Sequence, residues 1–119
     1  MEPLAIHHVS LNVPDVDEAV VFYTGVLGGD LRDDRPDLGV AGAWINVGTQ
    51  QVHLIEAPVP PNFGQHFAIR VGDLDHVVED LRSKGLRVGD PVVVGSNRQT
   101  FIEDPAGNVV ELHQVGGAR

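Results

Sequence analysis

The sequence predicts an α+β fold built from two tandem βαβββ modules, and three observations predict it. The chain repeats itself: "HHVSLNVPDVDEAV" at 7–20 aligns with "QHFAIRVGDLDHVV" at 65–78, so that His8 falls on His66, Val13 on Val71, Asp15 on Asp73, Asp17 on Asp75 and Val20 on Val78. At the same offset "QQVHLIE" at 50–56 lies over "NVVELHQ" at 108–114, with Val52 on Val110, Leu54 on Leu112 and His53 on Glu111. Within each half, apolar residues alternate at period two and then recur at helical spacing, which is the signature of strand followed by helix.

The elements follow in order. His7, Val9, Leu11 and Val13 alternate with His8, Ser10 and Asn12 in a first strand. Asp15, with Glu18 three residues on, forms a capping box that opens a helix. Val16, Ala19, Val20, Tyr23, Val26 and Leu27 make its apolar stripe, and Gly28-Gly29 ends it. Strands near 30–34, 43–47 and 51–57 complete a module over 5–57. A proline-rich joint, "PVPPNFG" at 58–64, leads to the second module at 65–115. There the strand 66–71 precedes a helix capped by Asp73, striped by Leu74, Val77, Val78 and Leu81 and stopped by Gly85. Strands follow near 86–94 (interrupted by Pro91), 98–104 and 108–115, the last two joined through the turn sequence "DPAGN". The 119 residues suit one domain holding both modules.

Composition narrows the function classes. The net charge is −9, from 8 Lys+Arg against 17 Asp+Glu, so nucleic acid and anionic membrane surfaces are excluded as partners. With no cysteine, thiolate metal sites, disulfides and cysteine nucleophiles are out of reach. The N-terminal segment carries no basic stretch followed by a long apolar run, and no stretch matches a bilayer span, so the expected location is the cytoplasm.

Strand parity gives a sharper expectation. In four strands one face is apolar and suited to packing under helices, while the other face carries a metal-binding side chain: His8, His53, His66 and Glu111. Imidazole and carboxylate suit a divalent ion such as Zn, Ni, Fe, Mn or Co. Ser10, Asn12, Gln51, Arg70 and His113 share those faces and are the expected lining for a small-molecule substrate. Arg98, Thr100 and Phe101 lie on a hairpin strand whose inward face parity alone leaves open. Trp44 and Asn46 share one face of the equivalent first-half strand. Arg70 and Arg98 can hold a substrate carboxylate or phosphate by a forked contact. His7 has the parity of the helix-facing side, where a packing role is expected, and His76 lies in the exposed first turn of the second helix.

These segments, above all "HHVSLNVPDVDEAVVFYTGVLG", "QQVHLIEAP", "HFAIRVGDLD" and "FIEDPAGNVVELHQ", resemble the vicinal oxygen chelate superfamily, which includes glyoxalase I, methylmalonyl-CoA epimerase, fosfomycin-resistance thiol transferases, extradiol dioxygenases and bleomycin-binding proteins. The resemblance covers nearly the whole chain. It implies a curved mixed sheet around a cavity, with helices on the outer face and a divalent ion that chelates two adjacent oxygens of a substrate or intermediate. It places metal ligands at His8, His66 and Glu111, with His53 at the fourth family position and Glu111 as a catalytic base. The chain departs from particular subfamilies. His53 stands where glyoxalase I has a carboxylate, and Phe101 stands where the fosfomycin enzymes have a tyrosine. Isomerase or lyase, thiol-transfer and dioxygenase chemistry thus stay open, with a non-enzymatic drug-binding protein of the bleomycin type as the alternative. The short joint between modules points to a homodimer, with or without exchange of modules between chains.

Overall fold

The computed structural model describes residues 1–118. Two compact units divide the chain, the first running from Met1 to Pro61 and the second starting at Asn62, close to the boundary that the repeat predicts.

In the first unit, strand β1 (His8–Val13) leads to helix α1 (Val16–Val21), and strands β2 (Asp30–Leu31), β3 (Gly42–Val47) and β4 (Gln50–Glu56) follow. The sheet order is β1-β4-β3-β2, with β1 parallel to β4 and the other pairs antiparallel. The second unit repeats this plan with β5 (Phe67–Arg70), α2 (Leu74–Ser83), β6 (Val92–Val94), β7 (Asn97–Glu103) and β8 (Val109–Gln114), in the order β5-β8-β7-β6. Each sheet is mixed because its first strand returns through a helix to lie parallel to its last, while the intervening strands are joined as hairpins. The same βαβββ module is therefore present twice.

Both predicted helix caps form. Asp15 accepts the backbone N–H of Glu18 at 3.0 Å, and Asp73 accepts that of His76 at 3.2 Å. Gly28 and Gly85 end the helical segments at φ of 80° and 88°, a conformation that costs glycine nothing. In the first unit the helix changes pitch: α1 runs into a π-helical turn at Phe22–Val26. The wider turn delays the rotation of successive side chains, so adjacent Phe22 and Tyr23 are both buried, whereas a regular 3.6-residue stripe includes only Tyr23. Helix α2 keeps regular geometry and buries Leu74, Val78 and Leu81 as expected.

The apolar strand faces pack as parity predicts. Val13, Val52 and Leu54 are buried in the first unit and Val110 and Leu112 in the second, as are Ile45 and Ile102 on strands whose inward face parity left open. Burying each such side chain contributes roughly 1.5–3 kcal/mol. Several strand expectations shorten. The expected strand 30–34 stops at Leu31, where Asp34 takes up the Arg32 guanidinium at 2.6 Å and Pro36 soon follows. The expected strand 86–94 survives only as Val92–Val94, since Pro91 has no N–H to donate to a ladder. His66 lies one residue before β5, and His7 one residue before β1. No helix among the described residues is long and apolar enough to cross a membrane.

Candidate functional site

In the second unit the site is built around Glu111. Its strand, β8, lies between β5 and β7, and Glu111 pairs in register with Ala68 on one side and Phe101 on the other. The side chain is nearly buried yet stands on the face opposite Val110 and Leu112. Two imidazoles hold it: His66 Nε2 lies 3.2 Å from Oε1, and His113 Nδ1 lies 2.8 Å from Oε2. His66 is fixed in turn, its Nδ1 lying 2.8 Å from the Gly64 carbonyl oxygen, to which it donates. With Nδ1 so committed, Nε2 is the nitrogen turned toward Glu111 Oε1. Phe101 sets its ring edge-on to His66 at 5.2 Å between centroids.

The first unit presents aromatic contacts at the equivalent place. Trp44 pairs across the sheet with His53, as Phe101 does with Glu111. The His53 ring is sandwiched, stacked on His8 at 3.8 Å with planes 13° apart, and on Trp44 at 4.8 Å with planes 15° apart. Its Nε2 lies 2.8 Å from Gln51 Oε1. Burial, followed by the charges that His8 and His7 can carry, holds the His53 pKa below the ordinary imidazole value. His7 is exposed, in place of the packed position that its parity suggested. Its Nδ1 meets His8 Nδ1 at 2.9 Å, because the chain is not yet in strand geometry at residue 7 and alternation does not apply there.

The structure thus brings His66, Glu111, His113 and Phe101 together in one unit, and His8, His53, Gln51 and Trp44 in the other. Other predicted lining residues divide. Asn12 donates to the Pro58 carbonyl, whereas Ser10 and Arg70 keep their polar groups without a side-chain hydrogen bond among the described residues. Arg98 shares the helix-side face of β7 with buried Thr100, opposite that of Glu111, and its fork is occupied by Asp75 at 2.8 and 3.0 Å. This pairing raises the Arg98 pKa and lowers that of Asp75. Gln99, which sequence reasoning passed over, pairs with His113 and shares the Glu111 face. The signal that locates it is the "DPAGN" turn, where Asp104 accepts the backbone N–H groups of Ala106 and Asn108 and so fixes the hairpin register.

The fit to a divalent ion differs between the units. Ligand distances near 2.0–2.2 Å and angles of roughly 90–109° set neighbouring ligand atoms about 3.0–3.4 Å apart. The 3.2 Å between His66 Nε2 and Glu111 Oε1 meets that requirement. The stacked His8 and His53 rings do not, for the reason developed below. Among the described residues, no three or more histidine or acidic side chains gather as a ready-made metal cage.

The repeated module, its mixed sheets and the His/Glu pair on a last strand define a class. The chain belongs to the Glyoxalase/Bleomycin resistance protein/Dioxygenase superfamily, whose model matches residues 5–112. Among its relatives is a lactoylglutathione lyase of Arabidopsis thaliana, 32% identical over 124 residues; the match takes in 92% of this chain but only 44% of the lyase, so the chain spans less than half of that relative. A 2-epi-5-epi-valiolone epimerase from an Actinomyces species is 31% identical over 144 residues, covering 92% of this chain and 78% of the epimerase. Of solved structures, an antibiotic binding protein from a Streptomyces species aligns with a TM-score of 0.84 at 26% identity, over 98% of this chain and 99% of its own.

Proposed function

We propose that the protein is a metal-dependent enzyme that moves a proton on a small molecule bearing two adjacent oxygens, in isomerase, epimerase or lyase chemistry. The observation that carries the proposal is Glu111, a nearly buried carboxylate held between His66 and His113 on the open face of a central strand. A carboxylate so placed can take a proton from a carbon beside a carbonyl and return it, and the electron pair left behind moves onto the carbonyl oxygen. When bound, a divalent ion supplies Lewis-acid stabilisation of that developing charge. His8, His66 and Glu111 are the proposed ligands. His113 keeps the Glu111 carboxylate oriented through Oε2. Arg70, paired in register with His113 and free of side-chain partners among the described residues, is the proposed contact for a substrate carboxylate or phosphate. Ser10, Gln99 and Phe101 complete the proposed substrate surface.

Kinship with a lactoylglutathione lyase and with an epimerase, which inverts a substrate stereocentre, supports this reading. The test is metal analysis of the purified protein, alongside deuterium uptake from heavy water by a panel of α-hydroxycarbonyl compounds and acyl thioesters. Full metal content with isotope exchange is expected in the parent chain, and loss of both in His8→Ala and Glu111→Ala. Unaltered metal content in both variants overturns the proposal.

A second reading, a drug-binding protein without turnover, is favoured by the Trp44–His53–His8 stack and by the likeness to an antibiotic binding protein. Saturable binding of a planar drug to metal-free protein, with no isotope exchange in any substrate, would establish it in place of the first.

A further inference from the structure

We propose that His53 is a positioning residue that holds His8 by stacking and is not itself a ligand of the metal. This rests on the metal reading above and concerns which first-module imidazole serves it. An imidazole nitrogen binds a metal through a lone pair lying in the ring plane, so a shared ion must lie in the planes of both rings. The planes of His8 and His53 are only 13° apart with centroids at 3.8 Å. Planes so nearly parallel meet far beyond coordination distance, so an ion in the plane of one ring stands well out of the plane of the other. Only one of the two can ligate as arranged.

The surroundings select His8. His53 is clamped from its other side by Trp44, at 4.8 Å and 15°, and turning it toward an ion breaks both stacks. Its Nε2 is committed to Gln51 at 2.8 Å. His8 is exposed, stacked on one side only, and its Nε2 has no hydrogen-bond partner among the described residues. The cross-strand geometry makes the clamp durable: Trp44 and His53 are direct partners in the β3–β4 ladder, and His53 pairs with Ser10 in β1, two residues beyond His8. In the second module the corresponding column is Phe101, Glu111 and His66, where Glu111 can ligate because it meets His66 edge to edge through its oxygens.

The experiment measures the affinity of the full chain for Zn²⁺ and Co²⁺ by competition with a chromophoric chelator. Three variants are compared: His8→Ala, His53→Ala and His53→Phe, the last keeping a flat ring between His8 and Trp44 but no nitrogen. Thermal melts confirm that each is folded. Affinity should fall at least 100-fold in His8→Ala and about tenfold in His53→Ala, where His8 loses its support. It should stay within about threefold of the parent in His53→Phe. A His53→Phe loss as large as that of His8→Ala makes His53 a ligand and overturns this inference while leaving the metal reading intact. Parental affinity in His53→Ala removes the positioning role and overturns it too. Parental affinity in His8→Ala removes His8 as a ligand and overturns this inference, whereas the metal reading falls only if Glu111→Ala also keeps parental affinity.

Discussion

The two modules share one topology, and the chemically telling difference between them lies in one column of side chains. In the second, the strand β8 position carries Glu111, and its neighbours are two imidazoles that meet its oxygens at 3.2 and 2.8 Å. In the first, the equivalent β4 position carries His53, and its neighbours are rings that meet it face to face. Carboxylate oxygens draw N–H groups and cations in the plane of the group, whereas an imidazole flanked by flat rings gains most by stacking. A duplicated backbone can therefore hold a charge-bearing centre in one copy and an aromatic clamp in the other. The helices differ in the same sense: α1 runs into a π-helical turn to bury two aromatic rings, and α2 stays regular around Leu and Val.

The largest way to test how alike the modules are is through their cores. Leu54→Ala and Leu112→Ala remove repeat-equivalent, fully buried side chains, and each should cost about 2–5 kcal/mol in urea unfolding. Similar losses in the two variants would show that the modules contribute equally to stability, and a large difference would show that one leads. His113→Ala comes next. It should lower metal affinity about 10–100-fold by releasing Glu111 Oε2, with partial recovery in His113→Asn, which keeps a donor. Its repeat equivalent, Ile55→Ala, should leave metal affinity unchanged, since an alkyl side chain has no hydrogen bond to give a ligand.

The smallest effect concerns two exposed ion pairs, one chosen from each module. Arg98 holds Asp75, and Arg32 holds Asp34, with the pKa of each carboxylate below its ordinary value. A depressed folded-state pKa means stability that is fully present above the ordinary carboxylate range and is lost as pH falls through the folded value. Melting temperature should thus decline slightly less on acidification in Asp75→Asn and Asp34→Asn than in the parent, measured from pH 6 down to about pH 3. A variant that loses stability faster in acid than the parent would contradict the pairing.

Much of this was legible in the residues. The repeat between His8 and His66, the caps at Asp15 and Asp73 and the alternation of Val52 and Leu54 specify modules, helix starts and core faces. Each is a local signal with one dominant cause. The expectations that failed did so where a local rule meets a break in regular geometry. Parity assigned His7 to the packed side, although the strand begins only at His8. A 3.6-residue stripe omitted Phe22, which the π-helical turn brings into the core. Arg98 was legible as a forked cation, but its partner on α2 is distant in sequence, and no local pattern announces Asp75.

The sequence by itself determined the family, the double βαβββ plan and the identity of the chemically able residues, because periodicity and repeat spacing are carried along the chain. Only the tertiary structure decided how those residues face one another. His66 and His113 converge on the oxygens of Glu111, and His8 and Trp44 close on the faces of His53. The reason is physical: alternation fixes which side of a strand a group occupies, while ring orientation and hydrogen-bond direction depend on neighbours that pair only once the strands have assembled.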